Sequence, residues 1–209
     1  FKLKKMSVSG ALFDMVKLED VSKNTISVMS NEKVFELSKK WAEKYSPELL
    51  ALYEKDNEYA KEILNIDRNG KKPRKDIAKW SEIKDYISYF YDETFEKNYD
   101  LEDDRLSNEL AFETLEKYKT VVDSNDDKDT WFSKIKDMCA DLGCTPNVKE
   151  YKANPENFRG HVGDLSTIIR VALTGRKNTP DLHAIIRLLG TEKTVKRIEE
   201  AQKHYTEGK

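Results

Sequence analysis

Cysteine is scarce in this chain, two in 209 residues, and one pair is too few to staple a disulfide scaffold. Cys139 falls on the apolar side of a helical stretch and Cys144 just past its glycine stop, so both read as reduced, mostly buried thiols. His161, His183 and His204 are the only histidines, with no cysteine or second histidine at zinc-ligand spacing, so no metal site is expected. A glycine-rich phosphate loop after a strand is missing, as are internal repeats and low-complexity tracts. No apolar run approaches membrane-spanning length, and nothing at the start has the pattern of a signal peptide. These absences point to the cytoplasm. The opening Phe1, where a start methionine would stand, suggests a cut inside a longer protein.

Neither charge sign dominates. With 37 Lys and Arg against 39 Asp and Glu the net charge is -2, which is no nucleic-acid signature, and any polyanion binding must come from local patches rather than from the whole. Such patches exist. Acidic residues outnumber basic ones from Glu93 to Asp129, whereas from Arg159 onward ten Lys and Arg face six Asp and Glu, which makes the C-terminal end the one a polyanion would favour. Hydrophobic residues at 38% and aromatics at 10% suffice for a core, and 36% charged residues of mixed sign suit solvated helix faces.

The dominant period is helical. Asn31 is expected to cap a helix carrying Val34, Phe35, Leu37, Ser38 and Trp41, and Pro47 to start another holding Leu49, Leu50, Leu52 and Tyr53. Asp56 or Asn57 precedes a segment with Tyr59, Ile63 and Leu64 that stops near Asn69-Gly70. A further face, Trp80, Ile83, Tyr86, Ile87 and Phe90, belongs to a helix expected to begin near Asp76, and Ser107–Val122 forms the next. The polar run Ser124–Asp129 reads as a linker between two helical subdomains, with Asp129 or Thr130 capping the helix that follows. The second subdomain packs Trp131, Ile135, Met138 and Leu142 against Leu165, Ile168, Ile169, Ile185, Ile186 and Leu189. In the loop at His161–Asp164, Asp164 is the expected helix cap.

The most informative stretch is Ile168–Leu182. An apolar run closes at Thr174-Gly175, Arg176 and Lys177 follow, and Thr179-Pro180 signals a helix start, with Thr179 as cap, Pro180 as first helical residue and Gly190 as stop. Exposed backbone donors are thus expected beside a basic pair, a combination that suits phosphates and the edges of unstacked bases. A second basic cluster, Lys71-Lys72-Pro73-Arg74-Lys75, sits after Gly70.

Arg170-Val-Ala-Leu-Thr-Gly followed by Thr179-Pro180-Asp181-Leu182, with Leu188-Leu189-Gly190 behind, closely resembles the C-terminal end of bacterial-type glutamyl-tRNA synthetases. Phe13-Asp14-Met15-Val16-Lys17-Leu18 resembles that family's Phe-Asp-x-x-Lys-Leu segment, and Trp131–Lys136 opens a helix ending at Leu142-Gly143 as its counterpart does. The resemblance implies an all-α fold of two helical subdomains forming an anticodon-binding cage. Residues 1–25 end a stem-contact region, and 26–123 and 124–209 are the subdomains. It implies a non-catalytic, monomeric fragment whose partner is the anticodon stem-loop of glutamate tRNA, with glutamine tRNA a second candidate. The parent is a class I ligase using ATP and Mg²⁺, neither of which the fragment itself needs. By the same resemblance Arg170 contacts anticodon bases, Thr179 reads the middle base, Pro180 and Leu182 pack on the last bases, and Arg74 contacts tRNA directly. Arg176, Lys177 and Arg187 neutralise phosphates. Lys5-Met6-Ser7-Val8-Ser9 looks like the ATP-phosphate loop of class I synthetases, but the chemistry needs a second lysine where Val8 stands, so a catalytic role is not expected. The alternative from another class is a helical protein-interaction module without RNA affinity.

Overall fold

A computed structural model describes residues 14–68, 70–103 and 105–207; the Lys5–Ser9 segment and the start of the Phe13–Leu18 motif lie outside them. Ten α-helices account for most of these residues: α1 Met15–Ser27, α2 Asn31–Tyr45, α3 Pro47–Lys55, α4 Asn57–Asn65, α5 Ile83–Ile87, α6 Asn108–Val121, α7 Lys128–Asp141, α8 Val148–Ala153, α9 Val162–Thr174 and α10 Leu182–Glu207. The one sheet among them is a parallel pair of two-residue strands, β1 Cys144–Thr145 and β2 Gly160–His161. The fold is all-α, as the helical period and the resemblance lead one to expect.

Side-chain caps set the helix starts. Ser46, Asp56 and Ser107 accept from the backbone N–H three positions on at the heads of α3, α4 and α6, each closing one of the orphan donors of a first turn. Elsewhere the expected cap is displaced. Ser30, not Asn31, caps α2, and Asp127, not Asp129 or Thr130, caps α7. At α9 the N-cap is His161, whose Nδ1 accepts from the N–H groups of Gly163 and Asp164. Asp164 is the other half of a capping box, accepting from the His161 N–H at 2.9 Å.

The core runs through the whole molecule. Helices α2, α3 and α4 pack together, whereas α6 packs on α7, α9 and α10. The expected division at 123–124 therefore separates α6 from the helices it is buried against. Leu110, Leu115 and Tyr118 of α6 share the core with Trp131, Ile135, Leu165, Ile169, Ile185 and Ile186, and buried Trp131 Nε1 donates to Tyr118 Oη at 3.0 Å. Cys139 and Cys144 are buried free thiols whose pKa values burial pushes up to about 11, as expected for inert core cysteines. No described helix is long and apolar enough to cross a membrane.

Between α4 and α6 the chain is irregular. The helix expected from Asp76 begins only at Trp80, as a 3₁₀ turn (Trp80–Glu82) leading into α5 and then a second 3₁₀ turn (Ser88–Phe90). This segment lies across from the α9–α10 connection and, with it, forms the site.

Candidate nucleic-acid interface

Helix α9 ends at Gly175, which holds φ +67° while its N–H reaches Val171 O at 2.8 Å, a left-handed C-terminal stop that glycine adopts without strain. The chain then crosses residues 176–181 before α10. One cation organises the crossing. Partly buried Arg170, projecting from α9, donates through Nη1 to the Thr179 hydroxyl, to Thr179 O (3.4 Å) and to Pro180 O (2.8 Å). Burial draws the Arg170 pKa down, yet a guanidinium with that intrinsic basicity stays charged.

That arrangement corrects the expected helix start. Thr179 does not cap α10, because its hydroxyl is engaged by Arg170 and itself donates to Pro180 O at 3.0 Å. Asp181 is the cap, accepting from Ala184 N–H at 2.9 Å, and α10 begins at Leu182 with Pro180 outside it. The expected open donors are also occupied: the Asp181 N–H donates to Asp67 Oδ2 at 2.9 Å. A helix N-terminus already facing two carboxylates is a poor anion site. Gly190 does interrupt the helix, at φ +78° within α10.

Opposite this loop stands the irregular segment. Arg74, Asp76, Glu82, Asp85, Tyr86 and Tyr89 line one side of a cleft of about 260 Å³, and Arg176, Asn178, Thr179 and Pro180 line the other. Two arginines bridge it. Arg74 forks onto Asp76 (2.6 and 3.1 Å) and also donates to Asn178 Oδ1 at 3.2 Å, 104 positions away in sequence. Its bond to Asp76 raises the Arg74 pKa further. Arg176 crosses in the other direction to Asp85. Tyr89 is 2% exposed, its hydroxyl has no hydrogen-bond partner among the described residues, and burial pushes its pKa well up.

Of the eight candidate residues, Arg74, Arg176, Thr179 and Pro180 therefore line one cleft, with Arg170 holding its rim. Lys177 sits beside it, paired with the Glu102 carboxylate at 2.9 Å. Two lie elsewhere. Arg187 is exposed at a separate hollow with Glu62, Asn65 and Leu188. Leu182 is 2% exposed and part of the core, so its apolar surface is not open to a base. The opposing wall, Asp76, Asp85, Tyr86 and Tyr89, was not singled out as site residues, and neither was Asn178 between Lys177 and Thr179; only the wall's apolar spacing marked it.

Arginines from two distant parts of the chain meet across this cleft among carboxylate, amide and aromatic groups, and the family described as anticodon binding domain matches residues 151–202. The chain is 46% identical over 200 residues to the glutamate–tRNA ligase of Clostridium perfringens, covering 94% of this chain and 37% of that protein. With the glutamate–tRNA ligase of Acetivibrio thermocellus it shares 42% over 199 residues, covering 95% and 36%. A crystal structure of a glutamate tRNA ligase from Elizabethkingia meningosepticum, in complex with its amino acid, shares the fold at a TM-score of 0.59 and 20% identity, over 97% of this chain and 35% of that one. The chain belongs to the glutamyl-tRNA synthetase family and corresponds to its C-terminal, anticodon-binding region. It spans little more than a third of the length of the relatives it matches.

Proposed function

We propose that this chain reads the anticodon stem-loop of glutamate tRNA on behalf of a cytoplasmic ligase that joins glutamate to that tRNA. The observation that carries the reading is the convergence of Arg74, Arg176, Asn178 and Thr179, from two distant parts of the sequence, on one cleft. A splayed base needs a planar cation, an amide or hydroxyl that can donate and accept, and apolar surface for its face. Arg74, with Asn178 and Tyr86 beside it, supplies those chemistries for the last anticodon base. Arg170 acts one step back, by fixing the carbonyls of Thr179 and Pro180 and so the shape of the loop. Exposed Lys71, Lys72 and Lys75, next to Arg74 in sequence, and Lys177 and Arg187 supply phosphate contacts. ATP and Mg²⁺ belong to the parent's aminoacylation chemistry, and this chain works as a monomer that holds and discriminates RNA.

The test is a binding comparison of hairpins whose anticodon loops end in C or in G. Arg74→Gln is expected to lose about 1–3 kcal/mol on the preferred loop and less on the other, while Lys177→Ala weakens both about equally. Equal losses on both loops for Arg74→Gln would remove base reading from this cleft. Affinity that does not change with salt would remove the phosphate contacts assigned to the lysines, because such contacts give a steep inverse dependence, and no affinity for either hairpin would remove RNA binding altogether.

A further inference from the structure

Arg176 is the cleft's most heavily restrained cation. Its Nη1 and Nη2 fork onto the Asp85 carboxylate at 3.0 and 2.6 Å, Nη2 also donates to Asp85 O at 3.0 Å and Ser88 Oγ at 3.2 Å, and the guanidinium lies 5.7 Å from the centre of the Tyr89 ring. The clamp spans the cleft, joining the 176–180 loop to the α5 wall, and it covers the ring whose hydroxyl is buried without a partner. Its two ends are unlike. The Arg176 side chain is 31% exposed, the Asp85 side chain 74%. A carboxylate so open to water adds little stability through an ion pair. It does, however, set a fixed negative charge on the cation that would otherwise meet a phosphate.

We propose that Asp85 is a specificity-determining residue: it occupies Arg176 with an internal anion, so that only an RNA seating a base in the cleft gains enough to displace it. This rests on the RNA-reading function proposed above. An RNA that offers phosphates alone must compete with a carboxylate already in fork geometry, backed by a main-chain carbonyl and a hydroxyl. A cognate loop adds contacts to Arg74 and Asn178, which line the same cleft, and those offset the lost pair. The device suppresses non-specific binding at the expense of some total affinity, which is how repulsive or competing elements generate selectivity elsewhere.

The experiment compares the full 209-residue chain with Asp85→Asn, Arg176→Gln and the double variant, titrated against a cognate anticodon hairpin and a hairpin with the same stem and a scrambled loop. Asparagine keeps the shape and removes the charge. Asp85→Asn is expected to bind the scrambled hairpin about three- to tenfold tighter and the cognate hairpin by a smaller factor, with a salt dependence steeper by about one phosphate contact. The double variant is expected to show no such gain, since the freed cation is gone. Thermal melts check that each variant folds. If wild type binds RNA but Asp85→Asn binds both hairpins equally or more weakly, Asp85 is a structural tie only and the proposal falls. A gain that persists in the double variant overturns it as well, by placing the effect in general charge. If wild type binds neither hairpin, the RNA reading itself fails and takes the clamp with it.

Discussion

Residues 66–106 and the helices α9 and α10 are built on opposite principles. The helices satisfy their own backbone, whereas the described residues of 66–106 hold only α5 and two 3₁₀ turns as regular structure, leaving carbonyls that a buried chain must pair somehow. Side chains of α10 and of the α9–α10 connection do the pairing. Arg197 donates to Tyr89 O, Lys193 to Phe90 O (3.4 Å), Arg176 to Asp85 O (3.0 Å), Lys177 to Glu102 O (3.2 Å) and Tyr205 to Tyr99 O (2.8 Å). The cleft wall thus takes its shape from the residues that face it. What this teaches is that an irregular recognition surface can be as well determined as a helix if another element supplies its hydrogen bonds.

The strongest way to break that comparison is Arg197→Met. Arg197 is 2% exposed, donates to Tyr89 O and to Leu173 O (2.7 Å), pairs with Asp92 at 3.1 Å and stacks 4.1 Å from the Phe95 ring centre. Burial draws its pKa down, with Asp92 opposing. Replacing a buried ion pair by apolar residues is often harmless, but here the partners lost are main-chain carbonyls, which no substitution can remove. Each carbonyl left bare costs about 1–3 kcal/mol. A denaturant titration is expected to show that loss, while Arg176→Gln, at an exposed tie, costs under about 1 kcal/mol. Equal costs would mean the wall does not depend on its buried tie.

Gly175→Ala comes next in size. At φ +67° an alanine is strained by about 1–3 kcal/mol, and its Cβ would meet Glu96 O at 2.5 Å, backbone that cannot swing aside as a side chain can. Hydrogen exchange is expected to show loss of protection around 96–98 as well as at the end of α9. Exchange confined to α9 would show that the two regions are less tightly joined than their contact suggests.

These two tests fall on features of unequal legibility. Helices α3, α4 and α6 could be read from Ser46-Pro47, Asp56 and Ser107, because capping is local chemistry. Thr179-Pro180 misled because a side chain from the preceding helix intervenes: Arg170 takes the hydroxyl that would have capped α10, and Asp181 takes over. Leu182 looked like a base contact but fills the core, and the helix starts two residues later than expected. Gly175 was legible as a stop, not as the point where Glu96 comes close. The 66–90 wall was the least legible, because its conformation follows from arginines more than a hundred positions away for Arg197 and Tyr89. Periodicity found its buried residues but could not pair Arg74 with Asn178.

The smallest expected effect is on pH dependence and compares one carboxylate from each region. Burial pushes the Asp181 carboxyl up, but Lys128 at 2.5 Å and the Ala184 N–H outweigh it, so it titrates below the usual carboxylate range. Asp92 in the irregular segment is likewise pushed up by burial and pulled lower by Arg197 and Lys193. A folded pKa below the unfolded one adds stability that is fully present above the unfolded value, about 3.9 for aspartate, and is lost as pH falls through the folded pKa. Melting temperature should therefore hold steady from neutral pH down to about 4 and then drop. Asp181→Asn is expected to lower the neutral plateau and flatten the acid limb. Asp92→Asn, whose side chain is 57% exposed against 22% for Asp181, should flatten it less, because solvent already screens its pairing. If Asp92→Asn flattened the limb more, the irregular wall would carry the greater acid-sensitive electrostatics, and the order of dependence between the two regions would reverse.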